Sequence, residues 1–374
     1  MYKIPLFDLN YSKEEEEAVL KTLRSKWISM GPNVSKLEEE FAKHLNIKHA
    51  IAVTNCTAAL HLALKILGIK EGDEVIVPSL TFVATVNAVR YVNAIPVFAD
   101  ITSYEDFSID PADIETKITS RTKAIIAMHY GGFACDMNRI MELAKKYNIF
   151  VVEDAAHAPD SEYNGNKLGT IGDIGCFSFF SNKNITCAEG GMLATNNDEY
   201  AKKANLLRAH GMTSLSYERA KGHATKYDVI ELGYNYRMDD IRGALALTQF
   251  KKLKEDVKKR EKLRQIYLKE LENIDNIIIL YKNHPYKSTN YIFPIVLKNS
   301  NVEKRDRIRQ KLAEAGIQTS VQYPAVHRFS IYEKYKVDLP ITEYVTDNEI
   351  TLPLFYNLTT NEIKYISKTL RNIL

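Results

Sequence analysis

Apolar residues follow two rhythms along this chain, and they alternate. Short unbroken runs rich in β-branched residues, "EVIVP" at 74–78, "IPVFA" at 95–99, "KAIIAM" at 123–128 and "IFVVED" at 149–154, read as buried strands because polar or turn residues close each one. Between them the spacing changes to that of amphipathic helices. "TAALHLALKILG" at 57–68 places Leu60, Leu64 and Leu67 on one face and stops at Gly68, and "FVATVNAVRYV" and "MNRIMELAKKYN" behave alike. Strand and helix in alternation predict an α/β fold, a mainly parallel sheet covered on both faces. After about residue 240 a long charged stretch, "DDIRGALALTQFKKLKEDVKKREKLRQIYLKELENI", predicts a connecting helix over 239–274. A second α/β region follows, with strands expected in "YIFPIVL" at 291–297 and "IQTSVQY" at 317–323 and a helix in "KRDRIRQKLAEAG" between them. The pattern therefore divides into a large domain, 1–240, and a smaller C-terminal domain, 241–374.

Composition sharpens this picture mostly by exclusion. With 374 residues, 45% of them hydrophobic and 26% charged, the chain can bury a large core. Its 50 basic and 47 acidic residues are scattered, so no basic stripe points to nucleic acid. No apolar run approaches the roughly 20 residues of a membrane span, and "MYKIPLFDLNYSKEEEEAVL" lacks the apolar core of a signal peptide. The expectation is a cytoplasmic protein with neither a membrane nor a nucleic-acid partner. Cys56, Cys135, Cys176 and Cys187 show no CxxC or His-rich spacing, so neither a metal site nor a disulfide framework is expected.

In parallel sheets ligands gather beyond the carboxyl ends of strands, which directs attention to a few residues. Asp154 ends "IFVVED", where a carboxylate can face a ligand or merely cap a turn; His157 follows three residues later. In "VTNCTAALHLAL" the polar Thr54, Asn55 and Thr57 open a helix, whose free N–H groups and dipole suit a phosphate, although capping accounts for them as well. Lys183 lies between the strand-like "CFSFF" and "AEGGMLATN", where Gly190 and Gly191 permit a tight turn. A lysine in an apolar setting loses its proton readily, and its free amine can form a Schiff base with an aldehyde. Pyridoxal 5′-phosphate (PLP) requires these parts together: a lysine for its aldehyde, a carboxylate for its pyridine nitrogen and a donor-rich phosphate site.

Seven segments in order, "WISMGPNVSKLEEEFA", "TNCTAALHLAL", "VPSLTFVATVNAV", "VVEDAAHA", "FSFFSNKNITCAEGGM", "ELGYNYRMDDIRGALALTQ" and "VQYPAVHRFSIYEKY", make the chain resemble the DegT-like nucleotide-sugar aminotransferases. These are PLP-dependent transferases of fold type I. The lysine block is similar to that of enzymes making UDP-4-amino-4-deoxy-L-arabinose.

The resemblance implies roles residue by residue. Lys183 would hold the cofactor as a Schiff base and shuttle a proton, and Asp154 would keep the pyridine nitrogen protonated. His157 would bond the ring hydroxyl and Phe82 would stack on the ring, unless Phe82 is only core packing. Thr57, Ala58 and Ser178 would bind the phosphate, with Cys56 in place of a common glycine, and Asn235 would reach the phosphate from a neighbouring subunit of a homodimer. Tyr323 and His327, and at the cleft edge Ser29 and Gly31, would line the substrate site.

The implied reaction moves an amino group from an amino acid, L-glutamate, to a keto group of a nucleotide-linked deoxysugar, at C4 rather than C3. A PLP-dependent sugar dehydratase would carry histidine in place of Lys183. A PLP-binding regulator without turnover would not require Lys183, Asp154 and His327 together. A nicotinamide dehydrogenase would need a GxGxxG after its first strand, which is missing.

Overall fold

A computed structural model describes residues 2–213 and 227–374. Two helices, α1 (Lys13–Arg24) and α2 (Pro32–Leu45), precede the first strand, β1 (His49–Val53). Then follow α3 (Cys56–Ile66), β2 (Glu74–Pro78), α4 (Val83–Tyr91), β3 (Ile95–Ala99), α5 (Pro111–Lys117), β4 (Thr122–Met128), α6 (Met137–Tyr147) and β5 (Phe150–Asp154). A small hairpin, β6 (Glu162–Tyr163) and β7 (Asn166–Lys167), leads to β8 (Ile174–Ser178), β9 (Gly191–Thr195) and α7 (Asp198–Leu207). The long helix α8 (Asp240–Leu271) leads into β10 (Ile277–Ile279), β11 (Phe293–Leu297), α9 (Val302–Glu314), α10 (Pro340–Asn348), β12 (Glu349–Leu352) and α11 (Thr360–Ile373).

Seven strands form one sheet in the order β1-β9-β8-β5-β4-β2-β3. Only β9 runs against the rest, pairing antiparallel with both β1 and β8. Its central strands β4 and β5 are almost wholly buried, as continuous apolar runs in a covered parallel sheet should be. One face packs on Leu37 and Phe41 of α2, Ile140 and Leu143 of α6 and Leu253 of α8. The other packs on Leu60, Leu62 and Leu64 of α3, Val86 and Val89 of α4 and Leu207 of α7.

Strands β10, β11 and β12 form a separate antiparallel sheet. Its core takes Leu263, Tyr267 and Leu271 from the second half of α8, together with Ile308, Leu312, Ile363 and Ile366. Helix α8 thus serves both sheets, and at about 1.5 Å per residue its 32 residues span about 48 Å. Ile4 joins this C-terminal core, far in sequence from its neighbours there.

One expected strand does not form. Residues 317–323 make only single bridges, Ile317 to Ile4 and Ser320 to Thr351. The side chain of Gln318 accepts the Leu6 N–H at 3.0 Å, so the N-terminal segment holds this stretch in place of a ladder. The third strand is β12, the four residues "EITL", too short to announce itself by alternation. Among the described residues no helix is long and apolar enough to cross a membrane.

Candidate active site

Strand ends and helix starts of the seven-stranded sheet converge on a cavity of about 430 Å³. Its lining includes Thr57, Phe82, Asp154, His157, Ser178, Lys183 and Tyr323, seven of the residues singled out in the sequence, drawn from 267 positions of chain.

Asp154 ends β5 and is buried. Its Oδ2 accepts from Thr85 Oγ1 at 2.7 Å, and its Oδ1 from the Ala156 N–H at 3.2 Å. Thr85 Oγ1 in turn meets Thr81 Oγ1 at 2.8 Å, so the threonines form a short relay that orients the carboxylate. Burial raises the Asp154 pKa, opposed by these hydrogen bonds and by the charges of Lys183 and His129. Each oxygen still has acceptor capacity for a ring N–H.

Lys183 sits in the turn after β8, its own N–H bonded to the Phe180 carbonyl at 2.9 Å. Its Nζ lies 4.2 Å from the centroid of the Tyr291 ring. Burial lowers its pKa to about 8, although the nearby Asp154 charge favours the ammonium. The loop that carries it depends on a close approach: a Cβ on Gly191, at the start of β9, would lie 2.5 Å from the Asn55 carbonyl carbon and 2.6 Å from the Cys56 nitrogen. Only glycine lets β9 begin directly against the start of α3.

At that start Asn55 is the N-cap, its Oδ1 accepting the Ala58 N–H at 2.8 Å. Ala58 therefore has no spare main-chain donor, and it lines an adjoining cavity with His61, Tyr91 and Tyr236. Cys56 and Thr57 hold the first helical positions facing the main cavity, as does Ser178 at the end of β8. Phe82, the N-cap of α4, is 55% exposed, so its ring is not core packing. It stands at the cavity wall, 5.8 Å from the Tyr323 ring. His157 is buried between Tyr291, at 4.2 Å between ring centroids, and Tyr323, whose Oη lies 3.2 Å from its Nε2.

Besides Ala58, four of the expected residues lie outside the main cavity lining. His327 is buried, with Nδ1 2.7 Å from Ser79 Oγ and Nε2 3.1 Å from Glu343 Oε1, and it ties its segment to the end of β2. Ser29 is exposed; Gly31 caps α2, where a Cβ would lie 2.7 Å from the Trp27 indole. Asn235 is exposed and bridges to Ala209, between Tyr234 and Tyr236, whose rings pack on His61 of α3. Conversely, Thr85, Asn182, Tyr291 and Gln322 line the cavity without having been singled out. Thr85 had a signal: three residues after Phe82, it shares the first turn of α4.

A cavity with a lysine of depressed pKa, a buried carboxylate, an exposed aromatic face and a helix start flanked by hydroxyls fits PLP part by part. Residues 10–371 match the DegT/DnrJ/EryC1/StrS aminotransferase family. The chain belongs to this family. It is similar to GDP-perosamine synthase from Escherichia coli O157:H7, with 39% identity over 99% of this chain and 98% of the relative. Among solved structures, Helicobacter pylori PseC, an aminotransferase involved in pseudoaminic acid biosynthesis, superposes with a TM-score of 0.92 at 30% identity, covering 100% of this chain and 98% of its own. A Streptococcus pneumoniae protein described as a sugar aminotransferase, solved in its PLP form, gives 0.91 at 30% identity with the same coverage. DegT-family aminotransferases work with PLP, and this chain is a PLP-dependent enzyme of that kind.

Proposed function

We propose that this sugar aminotransferase moves the amino group of L-glutamate to the C4 keto group of a nucleotide-linked deoxysugar. The observation that carries the reading is the pairing of Lys183, its pKa lowered to about 8, with the buried Asp154 across one cavity. The relative named GDP-perosamine synthase supports a nucleotide carrier, and the lysine block's likeness to the UDP-aminoarabinose enzymes supports C4.

In this reading PLP, when bound, supplies the aldehyde and the electron-accepting ring. Lys183 Nζ would hold the cofactor covalently and would move a proton to and from the substrate carbon. Asp154 holds the proton of the ring nitrogen, oriented by Thr85 and the Ala156 N–H. The hydroxyls of Thr57 and Ser178, with the N–H groups that open α3, would take the phosphate, and Phe82 would cover the ring. Asn235 of the partner subunit completes the phosphate site in a cytoplasmic homodimer. Residues 1–240 form the large cofactor-binding domain and 241–374 the small one, with α8 packed against both sheets.

The test is to incubate purified protein with glutamate and a panel of UDP-, dTDP- and GDP-linked 4-keto and 3-keto sugars, following cofactor absorbance and product mass. A single 4-keto sugar aminated with ping-pong kinetics is expected. Amination only at C3 overturns the position, and no amination of any sugar overturns the reaction.

A further inference from the structure

Hydrogen bonds around His157 run in one direction. Its Nδ1 accepts the main-chain N–H of Gly131 at 3.2 Å. An amide nitrogen can only donate, so Nδ1 is the bare nitrogen of the ring. Burial drives the His157 pKa well below its ordinary value, and the charge of Lys183 acts in the same sense. The imidazole is therefore neutral, with its hydrogen on Nε2. Nε2 faces Tyr323 Oη at 3.2 Å, so the imidazole donates and the phenol oxygen accepts. The phenol hydrogen is left to point elsewhere, and Tyr323 lines the cavity.

Its position is fixed from both sides. The Gln322 N–H donates to Glu349 Oε2 at 2.9 Å, the Tyr130 hydroxyl donates to the Gln322 carbonyl, and Thr346 Oγ1 donates to the Tyr323 carbonyl at 2.7 Å. Burial raises the Tyr323 pKa well above its ordinary value, and Tyr291, Asp154 and Glu349 add to this, so the phenol keeps its hydrogen at neutral pH. The Gly131 donor is itself held in place. Gly132 follows it at φ +89°, where a Cβ would lie 2.0 Å from Thr289 Oγ1 and 2.7 Å from the His157 carbonyl oxygen.

We propose that Tyr323 presents its phenolic O–H as a hydrogen-bond donor to the carbonyl oxygen of the ketosugar, and that His157 is a positioning residue acting through Tyr323. This rests on the sugar aminotransferase reading. A carbonyl oxygen accepts and cannot donate, which is what this wall of the cavity requires of a ligand. The phosphate-end hydroxyls of Thr57 and Ser178 and the amine of Lys183 already have their own tasks. No proton changes owner in this contact; the donor stabilises charge growing on the oxygen.

Two measurements test it. In cofactor-free protein labelled with ¹⁵N-histidine, His157, assigned through His157→Gln, should show the Nε2–H tautomer without titrating from pH 6 to 9. An Nδ1–H tautomer, or titration in that range, overturns the proposal. In single-turnover assays Tyr323→Phe should slow the ketosugar half-reaction about 10²-fold and the glutamate half-reaction far less. His157→Leu should slow the same half-reaction, His157→Gln should retain more of it, and Tyr323→Phe combined with His157→Leu should be no slower than Tyr323→Phe alone. Equal slowing of both half-reactions, no slowing, or additive losses overturns it. A wild-type enzyme that accepts glutamate but no ketosugar overturns the underlying reading instead.

Discussion

Burial acts on Lys183 against the pull of Asp154, and burial wins, leaving the pKa at about 8 instead of its ordinary value. A buried ammonium is disfavoured, so the neutral amine dominates above pH 8 and can attack an aldehyde there. Uptake of PLP by the cofactor-free protein, followed by absorbance, should therefore rise through a midpoint near pH 8. In Asp154→Asn the stabilising negative charge is gone, so the midpoint should move to lower pH. The same variant should turn over about 10²–10³-fold more slowly, because the ring nitrogen loses its charged partner. An unchanged midpoint would show that the two side chains do not feel each other. At this scale much of the site was legible: a lysine before paired glycines, a carboxylate at a strand end and polar residues at a helix start are local signals of chemistry. His327 was not, because nothing in "QYPAVH" reveals that Ser79 and Glu343 engage both ring nitrogens. Tyr291 gave no signal either, since its approach to Lys183 joins segments more than 100 residues apart.

Helix α8 stands behind the reactive lysine and steadies it through one ion pair. Asp256 and Arg260, both buried and one turn apart, meet at 2.8 Å. Asp256 Oδ2 also accepts from Asn184 Nδ2 at 2.9 Å, next to Lys183, while Arg260 Nη1 donates to the carbonyls of Tyr291 at 3.2 Å and Leu354 at 2.8 Å. The pair therefore ties the lysine turn to the residue whose ring faces the lysine amine. Asp256→Ala strands a buried guanidinium, and urea unfolding should show a loss of about 3–5 kcal/mol. Adding Arg260→Met removes the stranded charge and should recover part of that loss. If the double variant is less stable than the single one, the carbonyl contacts of Arg260 outweigh its charge. Elements of this kind were visible as patterns: β2, β3, β4 and β5 lie where apolar runs place them, and α8 where its charged amphipathic stretch does. The failed strand at 317–323 has the apolar and β-branched content of one, but its main-chain partners Ile4 and Thr351 are distant in sequence and meet it at isolated bridges, not along a ladder.

For the whole molecule, the question is what covers the segment before α8. Val229, Ile230 and Leu232 are exposed there, Leu232 at 84%, close in sequence to the exposed Asn235. Apolar side chains gathered on a surface mark a contact, and a homodimer in which Asn235 reaches across to the phosphate end of the other subunit's cavity would cover them. That arrangement separates two defects by chain. A Lys183→Ala chain lacks its own lysine but still offers Asn235 to its neighbour; an Asn235→Ala chain keeps its lysine but cannot complete the neighbour's site. Each homodimer should have almost no activity. In a mixed dimer one site inherits both defects and the other neither. With random pairing half of the dimers are mixed, so activity should recover to about a quarter of the wild-type value. Differently tagged chains, co-purified to prove that mixed dimers exist, make the measurement decisive. Mixed dimers without recovery would place Asn235 outside the neighbouring site, and an Asn235→Ala homodimer of full activity would remove it from the site altogether.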